Sequence, residues 1–358
     1  MSRRSIPRAE KALDPLLRVR GLEVRFFLKE GIVRALNGVD YDLPAHRTLG
    51  LVGESGCGKS ITARAILHIL PPRGRITAGQ ILLSPRDGKP RRNALDLATL
   101  PPNGRLIRAI RGRDIAMIFQ EPMTALSPVH TIGNQIGEVI RLHQQVGKRE
   151  LRERVIEALR LVNVPMPERR IDAYPHELSG GLRQRCMIAM ALSCRPRLLI
   201  ADEPTTALDV TIQSQVLNLI EHLQAELGMS VMMITHDLGV IAETADEVAV
   251  MYLGRIVEHG PTDAIFHDAK HPYTQGLLQS IPRIGRGGAA RLVSIPGSVP
   301  DPFTHPTGCP FHPRCGRRIK DMCDTGAPPI LHETGPEHRV ACFLYSQTRR
   351  EESLGCDD

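Results

Sequence analysis

Eight consecutive residues, Gly53-Glu54-Ser55-Gly56-Cys57-Gly58-Lys59-Ser60, constrain this chain more than any other feature. They match GxxxxGK[ST], a pattern that works in only one setting. Its glycines let successive backbone N–H groups wrap around phosphate oxygens, and a helix must begin at its end so that the positive N-terminus faces the anion. A buried strand must deliver the loop. Both neighbours are present: Thr48–Val52 is a short apolar run, and Ser60–Leu70 has a helical pattern with Arg64 and His68 on one face. Lys59 would reach the outer phosphates, and the Ser60 hydroxyl would ligate Mg²⁺. Cys57 contributes its backbone N–H and is assigned no redox role.

Three further apolar runs end in polar residues: Ile115–Phe119 before Gln120, Leu198–Ala201 before Asp202, and Val231–Ile234 before Thr235 and His236. Uninterrupted apolar runs of this length read as strands covered on both faces, as in a parallel sheet. Ligands of such sheets gather outside the carboxyl ends of the strands, so the polar terminators should converge on the phosphate loop. Asp202 and Glu203 form a pair there. One carboxylate at the end of a buried strand can hold the metal while its neighbour polarises the attacking water. Asp202 is therefore assigned to Mg²⁺ and Glu203 to the general base. Around this core, Leu16–Leu43 reads as antiparallel strands, Glu150–Val162 as an amphipathic helix and Cys186–Ser193 as a buried one. The Arg-rich stretch Arg86–Arg113 reads as a solvated insertion. Beyond about residue 265 Pro and Gly become dense and the α/β pattern stops, which places a domain boundary there.

Bulk properties exclude several classes. No apolar run approaches the roughly 20 residues that cross a bilayer, and the N-terminal MSRRSIPRAEKALDPLL lacks the apolar region of a secretory signal, so an intracellular chain is expected. The net charge is +7, which can draw nucleic acid or anionic lipid. Aromatics are only 3% with no Trp, too few for base-stacking platforms, so nucleic acid is not an expected partner. Eight cysteines without a secretory signal argue against a disulfide framework and leave metal binding or free thiols.

A specific likeness emerges at Leu178-Ser179-Gly180-Gly181-Leu182-Arg183-Gln184-Arg185. A Ser-Gly-Gly turn opening a helix is a second anion-binding N-terminus, yet one triphosphate needs only one cradle from its own chain. The segment resembles the signature loop of ABC ATPases, in which two cassettes pack head to tail with ATP between one P-loop and the other's signature. The resemblance implies that Ser179, Gly180, Gly181 and Gln184 serve the partner's nucleotide. It implies that Gln120 is the Q-loop residue, sensing Mg²⁺ and water while facing a membrane subunit. It further implies that Asp209, in Ala207-Leu208-Asp209, lies at the dimer seam, and that His236 steadies the γ-phosphate and the attacking water. Phe26, with Phe27 as the alternative, would stack on adenine. The ATP-binding set is then Phe26, Gly53, Glu54, Ser55, Gly56, Cys57, Gly58, Lys59, Ser60 and Ile61. The Mg²⁺ set is Ser60, Gln120 and Asp202, and the catalytic set Glu203, His236 and Gln120. The implied fold is α/β, a P-loop NTPase of the ABC-cassette type over 16–265. It has a RecA-like core, an antiparallel β subdomain and a helical subdomain at about 121–195.

The tail, 266–358, is a Pro/Cys-rich extension. Its segments His271-Pro272-Tyr273-Thr274, Ile295-Pro296-Gly297-Ser298-Val299-Pro300-Asp301-Pro302 and Gly308-Cys309-Pro310-Phe311-His312-Pro313-Arg314-Cys315 resemble the tail of oligopeptide/dipeptide importer ATPases. That resemblance implies an ATPase that powers peptide import. Nickel or glutathione import by the same machinery is the alternative, and a non-transport ABC ATPase the more distant one. The implied partners are a second ABC ATPase, homologous or identical, two membrane permease subunits and an extracytoplasmic substrate-binding protein. The chain would sit peripherally on the cytoplasmic face of the inner membrane. Cys309, Cys315, Cys323 and Cys342 cluster in the tail. Four thiolates can hold a [4Fe–4S] cluster or tetrahedral Zn²⁺. Their irregular spacing, without paired C-x₂₋₄-C knuckles, suits a cluster better; ordinary reduced thiols are the third reading. Cys186 and Cys194 are expected in the core, and Cys356 as a free tail thiol.

Overall fold

The computed structural model describes residues 15–86, 94–120, 125–206, 209–280 and 295–346. In chain order its strands are β1 (Pro15–Phe27), β2 (Ile32–Pro44), β3 (Thr48–Val52), β4 (Gly74–Leu83), β5 (Leu95–Asp96), β6 (Ile115–Ile118), β7 (Leu198–Asp202), β8 (Ser230–Ile234), β9 (Glu247–Tyr252), β10 (Arg255–Pro261), β11 (His332–Gly335) and β12 (His338–Val340). The four apolar runs are β3, β6, β7 and β8, and every residue in them is buried. They lie parallel, with β9 alongside, in a sheet of order β11-β12-β10-β9-β3-β8-β7-β6.

Successive side chains of a strand point to opposite faces, so this sheet separates two cores. Leu199 and Ala201, Val231 and Met233, and Ala116 and Ile118 face a core built with the helices. Leu198 and Ile200, Met232 and Ile234, and Ile115 and Met117 face the other, which is completed by the antiparallel sheet β2-β1-β4-β5. The register matters for function. Leu51 pairs Ile234, Asp202 pairs Ile234 and Ile118 pairs Ala201, so four strands finish along one edge. The residues just beyond them must meet there.

Helices Ile132–His143, Lys148–Leu161, Pro167–Arg170 and Gly180–Leu192 pack against one another beside the parallel sheet. Lys148–Leu161 buries only Val155, Ala158 and Leu159, as a one-sided helix should. Among the described residues no helix is long and apolar enough to cross a membrane.

Two departures from the sequence reading stand out. The helix after the phosphate loop is Lys59–Ile66, shorter than Ser60–Leu70. His68 turns to a φ of +52°, and the Arg111 guanidinium takes the carbonyls of Leu67 at 2.6 Å and His68 at 2.9 Å. Those carbonyls, orphaned at a helix end, are satisfied by a residue far along the chain. Nor is Arg86–Arg113 a solvated insertion. Within its described part, β5 pairs with β4, Leu97 and Ile107 are fully buried, and Ile110 nearly so.

The Pro-rich tail does not leave the body. Its hairpin β11–β12 adds to the edge of β10, with Val340 opposite Glu258. Glu258 has no solvent exposure. It accepts the Lys270 N–H at 2.6 Å and the His271 N–H at 3.0 Å, and lies 2.8 Å from His338 Nε2. A buried carboxylate is tolerated only with such partners, so this one pins two stretches of tail to the sheet.

Candidate nucleotide-binding site

The phosphate loop leaves β3 with Gly53 at φ +151° and reaches its helix through Gly58 at φ +110°. A Cβ on Gly53 would lie 2.2 Å from the Met251 carbonyl oxygen, and one on Gly58 2.8 Å from that of Ala35. Only glycine fits either place. Gly58 is also the N-cap, with no side-chain cap, which leaves the first N–H groups of the helix available to an anion. Lys59 is buried and its Nζ donates to the carbonyls of Gly53 at 2.7 Å and Glu54 at 3.0 Å. Its ammonium is therefore held at the loop's centre by the loop itself. Cys57 is buried, and burial pushes its thiol up, consistent with a residue present for its backbone.

Ser60 Oγ donates to Asp202 Oδ1 at 3.0 Å, joining the two residues assigned to Mg²⁺. Burial pushes the Asp202 carboxyl up, the Ser60 hydrogen bond opposes this, and the neighbouring Glu203 adds to the rise. A divalent cation would reverse that balance by favouring the charged form.

Glu203 comes next with φ +48°, its N–H bonded to the Ile234 carbonyl at 2.8 Å. A left-handed non-glycine residue costs on the order of 1 kcal/mol, and here it turns the second carboxylate out of the sheet. Three groups meet that carboxylate: Gln120 Nε2 at 2.9 Å, Thr206 Oγ1 at 2.9 Å and His236 Nδ1 at 3.1 Å. Burial alone would push the Glu203 carboxyl up, but the hydrogen bonds from His236 and Thr206 outweigh it and hold the group below the usual carboxylate range. An ionised Glu203 is what a proton acceptor requires. Thr206 is a site residue that the sequence reading lacks; its one signal is a hydroxyl three residues after the acid pair.

Lys59, Ser60, Gln120, Glu203 and His236 line an open cleft of about 900 Å³, together with Phe26, Ser55, Gly56, Ile61, Arg34 and Leu253. Asp202 and Thr206 stand behind this wall, hydrogen-bonded to Ser60 and Glu203. Phe26 is on the cleft wall. Phe27, 42% exposed, lies under the Arg75 guanidinium, 5.9 Å from ring centre to Cζ. Val299, Pro300, Asp301, Pro302, Thr304 and His305 of the tail form a further wall. Glu54 also meets the tail: its N–H donates to Tyr273 Oη at 2.8 Å, and its carboxylate takes both ends of the Arg314 guanidinium at 2.7 and 3.0 Å. Tail contacts to the phosphate loop have no signature in the sequence, because no local pattern links residues 260 positions apart.

Ser179, Gly180 and Gly181 do not line this cleft. Ser179 and Gly180 are exposed at the start of helix Gly180–Leu192, where Ser179 Oγ accepts the Leu182 N–H at 3.4 Å. Gln184 differs from the expectation of a contact made outward: it is 1% exposed and donates to the Pro204 carbonyl at 2.5 Å within its own chain. Asp209 caps helix Val210–Leu227 by accepting the Ile212 N–H at 2.9 Å. Ala207 and Leu208 lie outside the described residues.

In the tail, Cys309, Cys323 and Cys342 are buried and Cys315 is partly so. Burial pushes the Cys309 thiol to about 12 and Cys342 to about 11, and Cys315 and Cys323 add to both rises. The four sulfurs thus lie within electrostatic reach of one another. Among the described residues, however, no three His, Cys, Asp or Glu side chains are disposed as a ready ligand set. Cys186 and Cys194 are core residues, as expected; Cys356 lies outside the described residues.

Residues 36–206 match the family described as ABC transporter, and residues 257–323 the one described as oligopeptide/dipeptide transporter, C-terminal region. A probable peptide ABC transporter ATP-binding protein of Sinorhizobium fredii is 48% identical over 344 residues, covering 96% of this chain and 98% of that protein. The dipeptide transport ATP-binding protein of Bacillus subtilis is 46% identical over 346 residues, covering 96% and 99%. Among solved structures, cbiO1 of Clostridium perfringens, part of an ABC transporter complex, has a TM-score of 0.58 at 27% identity over 71% of this chain and 92% of that one. A dimeric ATP-binding cassette bound to ADP and Pi has a TM-score of 0.59 at 24% identity over 69% and 98%, a likeness of fold.

Proposed function

The chain belongs to the ABC transporter ATP-binding proteins of the peptide-transport type, and on that premise we propose how its strand-end cleft turns over ATP. Hydrolysis powers the import of peptides through membrane permease subunits. The phosphate loop and Lys59 grip the β- and γ-phosphates. Ser60, Asp202 and Gln120 would hold Mg²⁺, which would supply neutralising positive charge to the transferring phosphate. Glu203 takes a proton from the attacking water, and His236 orients that water and the γ-phosphate. Phe26 stacks on the base. The exposed Ser179-Gly180-Gly181 turn completes a second copy's site, with Asp209 near the seam. ATP that touches both copies only when they close converts binding into motion, and the Gln120 region passes it to the permease. An extracytoplasmic binding protein supplies the peptide, and the chain works at the cytoplasmic face of the membrane.

The observation that carries this reading is the Glu203 carboxylate, kept ionised by His236 and Thr206 beside the Ser60–Asp202 pair. In the assembled transporter, Glu203→Gln should bind ATP, lose turnover by about 10²–10⁴-fold and accumulate as a closed dimer. Hydrolysis near the native rate would refute the role.

For the tail we propose that Cys309, Cys315, Cys323 and Cys342 hold a metal centre, a [4Fe–4S] cluster in preference to Zn²⁺. What supports it is the gathering of the four cysteines in one part of the folded tail, three of them buried and one partly so, with the Cys309 N–H bonded to the Cys323 carbonyl at 2.8 Å. Such a centre would staple a segment with little core of its own.

A further inference from the structure

Arg314 stands between the tail and the phosphate loop, and its side chain is only 4% exposed. Two of its nitrogens bind the two Glu54 oxygens. Its Nε donates to the Pro296 carbonyl at 3.0 Å, just upstream of the stretch Val299–His305 that walls the cleft. The guanidinium carbon also lies 5.9 Å from the Tyr252 ring centre. A buried guanidinium is costly unless its charge and fork of donors are matched, and a bidentate carboxylate is the geometry that matches them. The arrangement therefore closes only when loop, tail wall and Arg314 are all seated.

We propose that Arg314 is a positioning residue of the nucleotide site, fixing Glu54, and with it the phosphate loop, while anchoring the tail wall of the cleft. It touches no reacting atom. Its effect falls on nucleotide affinity, so the tail becomes a determinant of how tightly the cassette holds ATP. The inference rests on the cleft being the nucleotide site.

The test uses the full chain for equilibrium binding of a fluorescent trinitrophenyl-ATP, and the assembled transporter for ATP turnover. Arg314→Met should weaken binding about tenfold or more, the loss of a charge-assisted pair, while kcat at saturating ATP stays within about threefold. Arg314→Lys, which keeps the charge but not the fork, should recover part of the affinity. Glu54→Gln should weaken binding too, and its combination with Arg314→Met should be less than additive, because both break one pair. Affinity within about twofold of native in both single variants, or additive losses, would overturn the proposal; so would a fall in kcat with affinity unchanged. If Arg314→Met does not fold, the cycle of Arg314→Lys with Glu54→Gln measures the coupling instead. Lys59→Ala separates the two ideas: lost binding there with Arg314 silent sinks only this inference, whereas retained binding sinks the reading of the cleft.

Discussion

Replacing Glu258 by Gln changes one atom of a side chain with no solvent exposure, and the hydrogen bonds around that atom set the cost. Its Oε1 takes the Lys270 N–H and sits against His338, and its Oε2 takes the His271 N–H. With the amide oxygen in the Oε1 place, the new NH₂ faces the His271 N–H, donor against donor. In the flipped orientation the NH₂ faces the Lys270 N–H instead. Either way, a bond to a charged acceptor worth about 1.5–3 kcal/mol is lost and a buried N–H is stranded at about 1–3 kcal/mol. Allowing for partial relaxation, about 3 kcal/mol is the expected cost, a fall in Tm of roughly 4 °C for 358 residues melting as one unit. The damage should be local first, because the carboxylate pins tail to sheet. Hydrogen exchange at the His271 amide and across the hairpin 332–340 should accelerate, and protease should cut the tail. A Tm within about 1 °C of native with unchanged exchange would refute the reasoning, since a satisfied amide is the only way to avoid the cost.

Three other perturbations address the site and the cysteines. Glu203 has a depressed carboxyl, so its stabilising contribution is present above the unfolded value of 4.5 and fades as pH falls through the folded one. Activity that needs its charge should share that acid limb. Thr206→Val removes one cause of the depression, and the pH–rate profile of ATP hydrolysis should move its acid limb upward, with a fall of about 3–10-fold in kcat; an unmoved limb would count against Thr206. For the tail, Cys309→Ser in protein purified without oxygen should lower bound iron, read by elemental analysis, and loosen the segment to protease. Native protein without iron or zinc would dispose of the metal centre.

What can be read along the chain is whatever a short run of residues declares by itself. Gly53–Ser60 must sit between a strand and a helix for steric and electrostatic reasons, and β3 and helix Lys59–Ile66 provide that setting. Asp202 ends an apolar run, and strand register fixes its place, whereas Glu203 just beyond it is placed by its left-handed backbone. Arg111 cannot be read this way, since a guanidinium that closes a helix 43 residues earlier leaves no local pattern. Gln184 is legible as part of a motif but not in its orientation, which depends on the Pro204 carbonyl packed against it. The tail is the least legible. Pro and Gly density announces irregular backbone, yet the partners that make it ordered, Glu258 and Glu54, belong to other parts of the molecule.

The hairpin on β10 bears on how this protein is made. A ribosome releases β10 long before His338–Val340, so the growing chain carries a sheet with an unfilled flank for some 80 residues of synthesis. Such a flank is a template for any extended strand nearby. A message cut short before codon 338 would leave it permanently open, yielding a chain that has every catalytic group yet is prone to stick to its neighbours.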